Sequence, residues 1–422
     1  MKRPSALLCV VLLTTGAFAQ TGVVPAEAKL SPAERTMAQA NKLIEKNPKN
    51  FEAHNALALA LSRRARETSD VKFYDMAEDA LQKSDAISPN NFDGARIHVW
   101  LLLGKHEFAA ALEAAKPLSQ KIPDDIMLYG FLTDANVELG NYADAEKSAQ
   151  WMLDLRPGNL PGMTRAAYLR ELFGDVDGSL ELMKMAYEST PPSEAEDGAW
   201  ILAQMGHLEL MAGKPEEAEK LLHQALMQFP GYHYALANLA RVCILQKRYQ
   251  DAVTLLRQRY DAAQHAENLY DLAEALELAG RTEEAARGFA EFETKSLAES
   301  VKGDNSNREL IFYYADHAHQ PAKALRIAEL ERSRRHDVYT LDAYAWALHV
   351  NGRDADAKQP IEAALAVGIQ DAKFFHHAGL IELAAGDQKA ASEHLHKAVA
   401  LNSAVSDQAR VALASLTVAP GK

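Results

Sequence analysis

Fifteen histidines and an excess of carboxylates are the side chains of this 422-residue sequence that could do chemistry. His376 and His377 are adjacent, and His394 with His396 and His317 with His319 are each two apart. A metal site needs three or four ligands converging on one point, and residues one or two apart on a helix point to different faces. No two histidines are four apart, so they read as surface and packing residues, and neither a metal nor a cofactor is expected. The nucleophile elbow G-x-S-x-G, the phosphate loop G-x-x-x-x-G-K-[ST], G-x-G-x-x-G after a strand, C-x-x-C and H-E-x-x-H are all missing, and His106-Glu107 has no second histidine four residues on. No enzymatic activity is expected. Cys243 lies in the apolar run Val242-Cys243-Ile244 and reads as a small buried hydrophobe. Arg64, Arg66, Glu67 and Asp70 mix charges in one polar stretch, which reads as a solvated, internally paired helix extension, with a binding loop as the other possibility.

The elements that must position these groups show themselves as a repeat. Val338–Asp371 and Ala372–Val405 superimpose without a gap over 34 residues, pairing Ala345 with Gly379, Gly352 with Gly386, Ala357 with Ala391 and Ile361 with Leu395. A 34-residue period with a glycine midway is a helix-turn-helix unit stacked on its own copies. Further units start near Asn50, Phe92, Ile126, Leu160, Ala199, His233, Ala266 and Asn305, making ten, with insertions expected near 63–73, 192–197 and 294–307. One position early in the second helix of each unit is small: Ala77, Ala111, Ala145, Ser179, Ala218, Ala252, Ala285, Ala324, Ala357 and Ala391. Two helices approach closely there only if the side chain is small. Ser31-Pro32-Ala33-Glu34 opens a capping helix with a hydroxyl cap, proline at the first helical position and glutamate three residues after the cap, and 406–416 reads as the capping helix at the other end. Pro360 falls inside a second helix, where it would remove a hydrogen bond unless the helix starts late.

Lys2 and Arg3, the apolar run Ala6–Leu13 and Ala17-Phe18-Ala19 have the layout of a cleaved secretory signal. Residues 1–19 are therefore read as a signal peptide, 20–30 as a flexible leader, 31–304 and 305–416 as repeats with their capping helices, and 417–422 as a tail. The location expected is periplasmic or secreted after cleavage near Ala19, with no stable membrane insertion. Cleavage takes away two cations and no acid, moving the formal charge from −13 to −15, and leaves Cys243 without a disulfide partner. That charge argues against nucleic acid as a partner.

The repeat residues resemble the tetratricopeptide repeat family over nearly the whole mature chain. Stretches such as 167–174 and 342–348 also look like those of exported bacterial repeat proteins with no assigned activity. The resemblance implies an all-α, right-handed solenoid of about ten helix-turn-helix repeats with capping helices, acting as a non-enzymatic adaptor. It also implies that the first helices line a concave face. Offsets of four and three residues along those helices give Tyr270, Tyr313, Asp316, Asp342, Trp346, His349 and His376 as the groove, with Asp134, Tyr168, Glu171, His207, Arg241, Glu274 and Glu277 on the same face. Carboxylates and aromatics there suit a peptide or protein segment with basic and apolar side chains. The lysines and asparagines of a carboxylate clamp are absent, so capture of a C-terminal carboxylate is not expected. A structural part in a cell-envelope complex, or an accessory subunit that binds a small molecule or metal, are the rival readings.

Overall fold

The structure, a computed structural model, describes residues 30–401 and 403–417. The segments expected to be a signal peptide (1–19) and a leader, up to residue 29, lie outside the described residues, as does the expected tail 417–422 apart from Thr417, which ends the last helix. From Ser31 onward the chain forms one compact unit. Among the described residues it is all-α, a run of helices α1–α22 in which each packs on the next.

The helix starts follow the 34-residue phase. The first helices α4 (Phe92–Gly104), α6 (Ile126–Glu138), α8 (Leu160–Leu172), α12 (His233–Leu245), α14 (Ala266–Leu278), α18 (Val338–Val350) and α20 (Ala372–Ala384) begin where the repeat alone predicts. Asparagine or aspartate caps many of them: Asn91, Asp125, Asn159, Asp337 and Asp371 each accept a backbone N–H of the first turn. The helix α1 (Pro32–Lys46) opens with a full capping box between Ser31 and Glu34, and α22 (Ser406–Thr417) closes the stack. All ten small positions of the second helices are at most 2% exposed. Pro360 does not mark a late start: α19 runs through it from Asp354 to Ala366.

Most successive first helices touch one another, whereas successive second helices stay further apart. The stack therefore curves with its first helices on the inside. That curvature brings the chain back onto itself four to six helix pairs later, and the irregular stretches of the repeat are where the turns meet. α2 (Phe51–Thr68) is 18 residues long, and α10 (Ala195–Met211) begins four residues before the repeat phase places it. The last turn of α2 meets the first turn of α10. Arg63 bonds Glu194 at 2.7 Å, Arg66 bonds Glu196 and reaches Asp197 at 2.5 Å, and His233 on α12 contacts the Arg66 carbonyl at 2.8 Å. Glu196 is fully buried and also accepts the Tyr232 hydroxyl at 2.7 Å. A cation at a helix C-terminus facing acids at a helix N-terminus suits both helix dipoles.

The Arg64–Asp70 stretch is thus not a solvated extension. Arg66 crosses to α10, Glu67 is buried, and Glu67 accepts the backbone N–H of Ala33 at 3.0 Å. The third irregular stretch behaves alike. α15 (Thr282–Glu299) is overlong, and Arg334 caps it by donating to the carbonyls of Ser300, Val301 and Lys302. Arg335 then reaches His106 at 2.8 Å, the His336 N–H donates to the Glu138 carbonyl, and the Val338 N–H donates to the Tyr142 hydroxyl.

Glycines report the same approach. Gly140 has φ +74°, and a Cβ there would lie 2.7 Å from the carbonyl oxygen of His336, whereas Gly386 has φ +87° and open space around it. Alanine at either site bears the left-handed penalty of roughly 1–2 kcal/mol. Gly140→Ala should lose clearly more stability than Gly386→Ala in urea unfolding, because only Gly140 lies against the next turn. Equal losses would show that the turns do not press on each other there.

Candidate functional site

The inner face is built from polar groups that pair from one first helix to the next. In α8 (Leu160–Leu172) Glu171 is buried and lies 3.0 Å from His207 Nε2 on α10; Arg241 on α12 (His233–Leu245) donates to His207 Nδ1 at 3.0 Å. With Nδ1 accepting, Nε2 must carry the proton that Glu171 receives. Further along, Arg165 holds Asp134 through both oxygens, at 2.6 and 2.9 Å. Such ladders use up much of the polar surface that a groove could offer.

The seven groove residues inferred from the sequence split into lining and wall. Asp316, Trp346 and His376 line a cavity of about 1060 Å³. Trp346 donates its indole N–H to Asp316 at 2.8 Å and stacks on His377 at 4.2 Å. Asp342 is only 2% exposed and receives a bond from His377 at 2.8 Å, so it supports the wall behind Trp346 and meets no partner directly. His349 contacts Asp354 at 2.5 Å and lies against Trp346. Tyr270, on α14 (Ala266–Leu278), is 5% exposed and donates to Glu274 at 2.8 Å, and Tyr313 stacks on Phe289 at 5.5 Å. Replacing Asp342, Trp346 and His376 together would therefore disturb packing as well as binding.

The sequence reading found one wall of the cavity and missed the rest. Arg241, Glu274 and Glu277, which the offsets placed on the same face, line it too, but Asp271 on α14, His317 and His319, Asp371 and Lys373 at the start of α20 (Ala372–Ala384), and an apolar floor that includes Leu210, Ile244 and Leu256 were not foreseen there. Leu401, Val405, Gln408 and Val411 on and before α22 close one side. Carboxylates outnumber the cations Arg241 and Lys373. The i, i+3 spacing of Glu274 and Glu277 was visible; the partnership with His317, 40 and more residues away, was not.

His317 closes the five-residue π turn Tyr313–His317 that continues α16 (Asn307–Phe312), marked by the Ala318 N–H donating to the Tyr313 carbonyl. Its Nδ1 is 3.0 Å from Glu277 and its Nε2 is 3.4 Å from Glu274. Burial opposes its charge, but the bond and charge of Glu274, with Glu277 and Asp316, outweigh burial and raise its pKa. His376 is the opposite case. Burial, then the neighbouring His377 and Lys373, push it down to about 4, so it is neutral near pH 7. Burial, with Glu267 and Glu274 nearby, pushes Asp271 up to about 6 in spite of its bond to Arg259 at 2.5 Å. Cys243 is buried, which raises its thiol pKa. Among the described residues no group of three His, Cys, Asp or Glu side chains is placed to hold a metal ion, and no helix is long and apolar enough to cross a membrane.

This architecture is that of a helical-repeat protein. Residues 209–264, from the end of α10 to just past α13 (Tyr249–Ala262), match the model of the tetratricopeptide repeat family, and stacked helix pairs flank this segment on both sides. No curated protein matches the sequence. Among solved structures, the human IFIT1 dimer with PPP-AAAA is 13% identical, with a TM-score of 0.48 over 88% of this chain and 95% of that one. The type IV pilus biogenesis factor PilW is 14% identical, with a TM-score of 0.42 over 49% of this chain and 94% of that one. A tetratricopeptide repeat protein from Parabacteroides merdae is 18% identical, with a TM-score of 0.37 over 62% and 99%. These are likenesses of fold.

The inner acids also tie stability to pH. Burial and the nearby Glu267 hold Glu309 up to about 7, against its ordinary 4.5. The folded state thus keeps a proton that the unfolded state has lost, so this contribution is present below about pH 4.5 and fades as pH rises through 7. His376 acts in the reverse sense below pH 6.5, so the test belongs above that pH. Between pH 6.5 and 8 the melting temperature should fall in the parent and fall less in Glu309→Gln, the variant gaining on the order of 1–2 kcal/mol at pH 8. Parallel pH profiles would refute the assignment.

Proposed function

We propose that this protein is a non-enzymatic scaffold that holds a protein or peptide segment with basic and apolar side chains in the cavity of its inner face. Tetratricopeptide repeats suggest a protein-interaction scaffold, and the observation that carries the finer reading is the cavity itself. At about 1060 Å³ it is large enough for several side chains. Asp271, Glu274, Glu277, Asp316 and Asp371 supply acceptors for cations, while Leu210, Ile244, Leu256 and Trp346 supply apolar contact. The same acids, with the overall charge of −13, disfavour a nucleic-acid ligand. The basic start, short apolar run and A-x-A site support export to the periplasm or beyond, with the mature chain beginning near Gln20.

A direct test uses two fluorescein-labelled octapeptides, one alternating lysine with leucine and one alternating glutamate with leucine, followed by anisotropy. The lysine peptide should bind, and the Glu274→Gln/Asp316→Asn double variant should weaken it at least tenfold. Both substitutions keep the acceptors that Tyr270 and Trp346 use, so the wall should stay intact. Equal binding of the glutamate peptide would reject the reading.

A further inference from the structure

Glu274 and Glu277 are about half exposed, both line the cavity, and the one basic group between them is His317, at 3.4 and 3.0 Å. Two carboxylates one helical turn apart, facing a cavity, form the acceptor half of an ammonium or guanidinium site. An acidic pair alone would not make a site, since such pairs also occur on ordinary solvated helix faces.

Two further observations point to a ligand. His376 lines the same cavity, is 7% exposed, and makes no hydrogen bond to any described residue. Its ring nitrogens stay accessible and have no protein partner among the described residues, so they are free to meet a ligand that enters the cavity. The second is the π turn that delivers His317 and Asp316. Such turns are rare and concentrate at functional sites, and here the turn sets one titratable base against the acid pair. Among the described residues nothing else competes for His317. From α14 it meets Glu274, Glu277 and the edge of Tyr270; from α15 it meets the Phe289 ring; from its own turn Asp316 adds negative charge. On α17 (Pro321–Arg332) Lys323 is engaged over the Tyr314 ring and with Glu293, and on α18 Asp342 and His349 are bonded to His377 and Asp354.

We infer that Glu274 and Glu277 form a binding site for one ammonium or guanidinium group of the ligand, and that protonated His317 occupies this site as an internal stand-in when the ligand is absent. This rests on the cavity reading above and adds to it a competitor within the chain. Ligand entry displaces the imidazolium from the carboxylates; the imidazole, no longer held charged, releases its proton to solvent, and the incoming cation takes the two acceptors. Charge balances, one cation replacing another. Binding and protonation of His317 are then reciprocal, so ligand affinity falls as pH drops below the pKa of His317.

The experiment uses the full chain without residues 1–19, the lysine–leucine octapeptide as probe, and the same peptide with its lysines Nε-acetylated. Calorimetry between pH 6 and 8, in buffers of different ionisation enthalpy, reads both affinity and protons released, and ¹³C-histidine NMR with His317→Gln for assignment reads the pKa of His317. The parent should weaken toward low pH by up to about tenfold per pH unit below that pKa, release a proton on binding, and show the His317 pKa falling when the probe is saturating. His317→Gln should bind the probe with a flatter pH profile and without that proton. Glu274→Gln/Glu277→Gln should lose the probe, and acetylated peptide should not bind the parent. Probe binding whose pH profile is the same in His317→Gln, or a His317 pKa unmoved by saturating probe, overturns the stand-in while leaving the cavity reading in place. Failure of the probe to bind parent and His317→Gln alike at every pH overturns both.

Discussion

Everything in this molecule depends on charges that are buried only because their partners arrive from another turn of the stack. Glu196 has no exposed surface, and an ionised carboxylate in that position would cost several kcal/mol if it stood alone. Arg66 approaches it from 130 residues upstream, and Tyr232 donates from the other side. Arg335, 4% exposed, makes a second cross-turn contact of this sort with Glu138 at 3.6 Å, while its near neighbour Glu331, which also accepts from Asn307 at 2.9 Å, holds it from its own segment. Replacing such pairs by apolar residues can be neutral or even stabilising, so their value is in specificity more than in energy. A repeat stack held by nearest-neighbour packing alone can stretch or tighten by small increments at each unit. Cross-turn pairs remove that freedom, because a change in pitch would strand a buried charge.

Fixed pitch in turn decides what the inner face can be. In an open superhelix the polar residues of the first helices would face water and wait for a ligand. Here they are drawn close enough to satisfy one another, as in Glu171–His207–Arg241 and Asp342–His377. What remains open is the cavity where α12, α14, α18 and α20 face each other and α22 closes the side. Preorganisation follows from the same contacts, since a wall whose hydrogen bonds are already made loses little freedom on binding.

Local order was legible in the sequence and long-range order was not. The 34-residue phase placed most first helices at the residue where they begin, because caps such as Asn91 and Asp125 and the small positions from Ala77 to Ala391 act within one or two units. The insertions were visible as breaks in phase. Their meaning was hidden, because pairing Arg66 with Glu196 or Val338 with Tyr142 needs the summed rotation of several units, which no local pattern encodes. Candidate groove residues met the same limit. Helical offsets put Asp316, Trp346 and His376 on the inner face and the cavity includes them, but the same offsets chose Asp342 and Tyr270, which the neighbouring helix covers. An offset names a face of one helix; it does not say how deeply the next helix buries that face.

His317 shows how the two scales combine. As one of two histidines at a helix end it carried no signal, and only the π turn brings it within 3.4 Å of Glu274 and 3.0 Å of Glu277. With a cation already in place, the acid pair does not repel itself in the empty protein, which lets a negatively charged inner wall persist at a fixed pitch. The same arrangement discriminates among ligands: an apolar segment gains nothing from displacing the imidazolium, and an acidic one meets the remaining carboxylates. Only a ligand that returns a positive charge to the pair recovers what displacement removes, so selectivity for cations comes from the stand-in as much as from the acids.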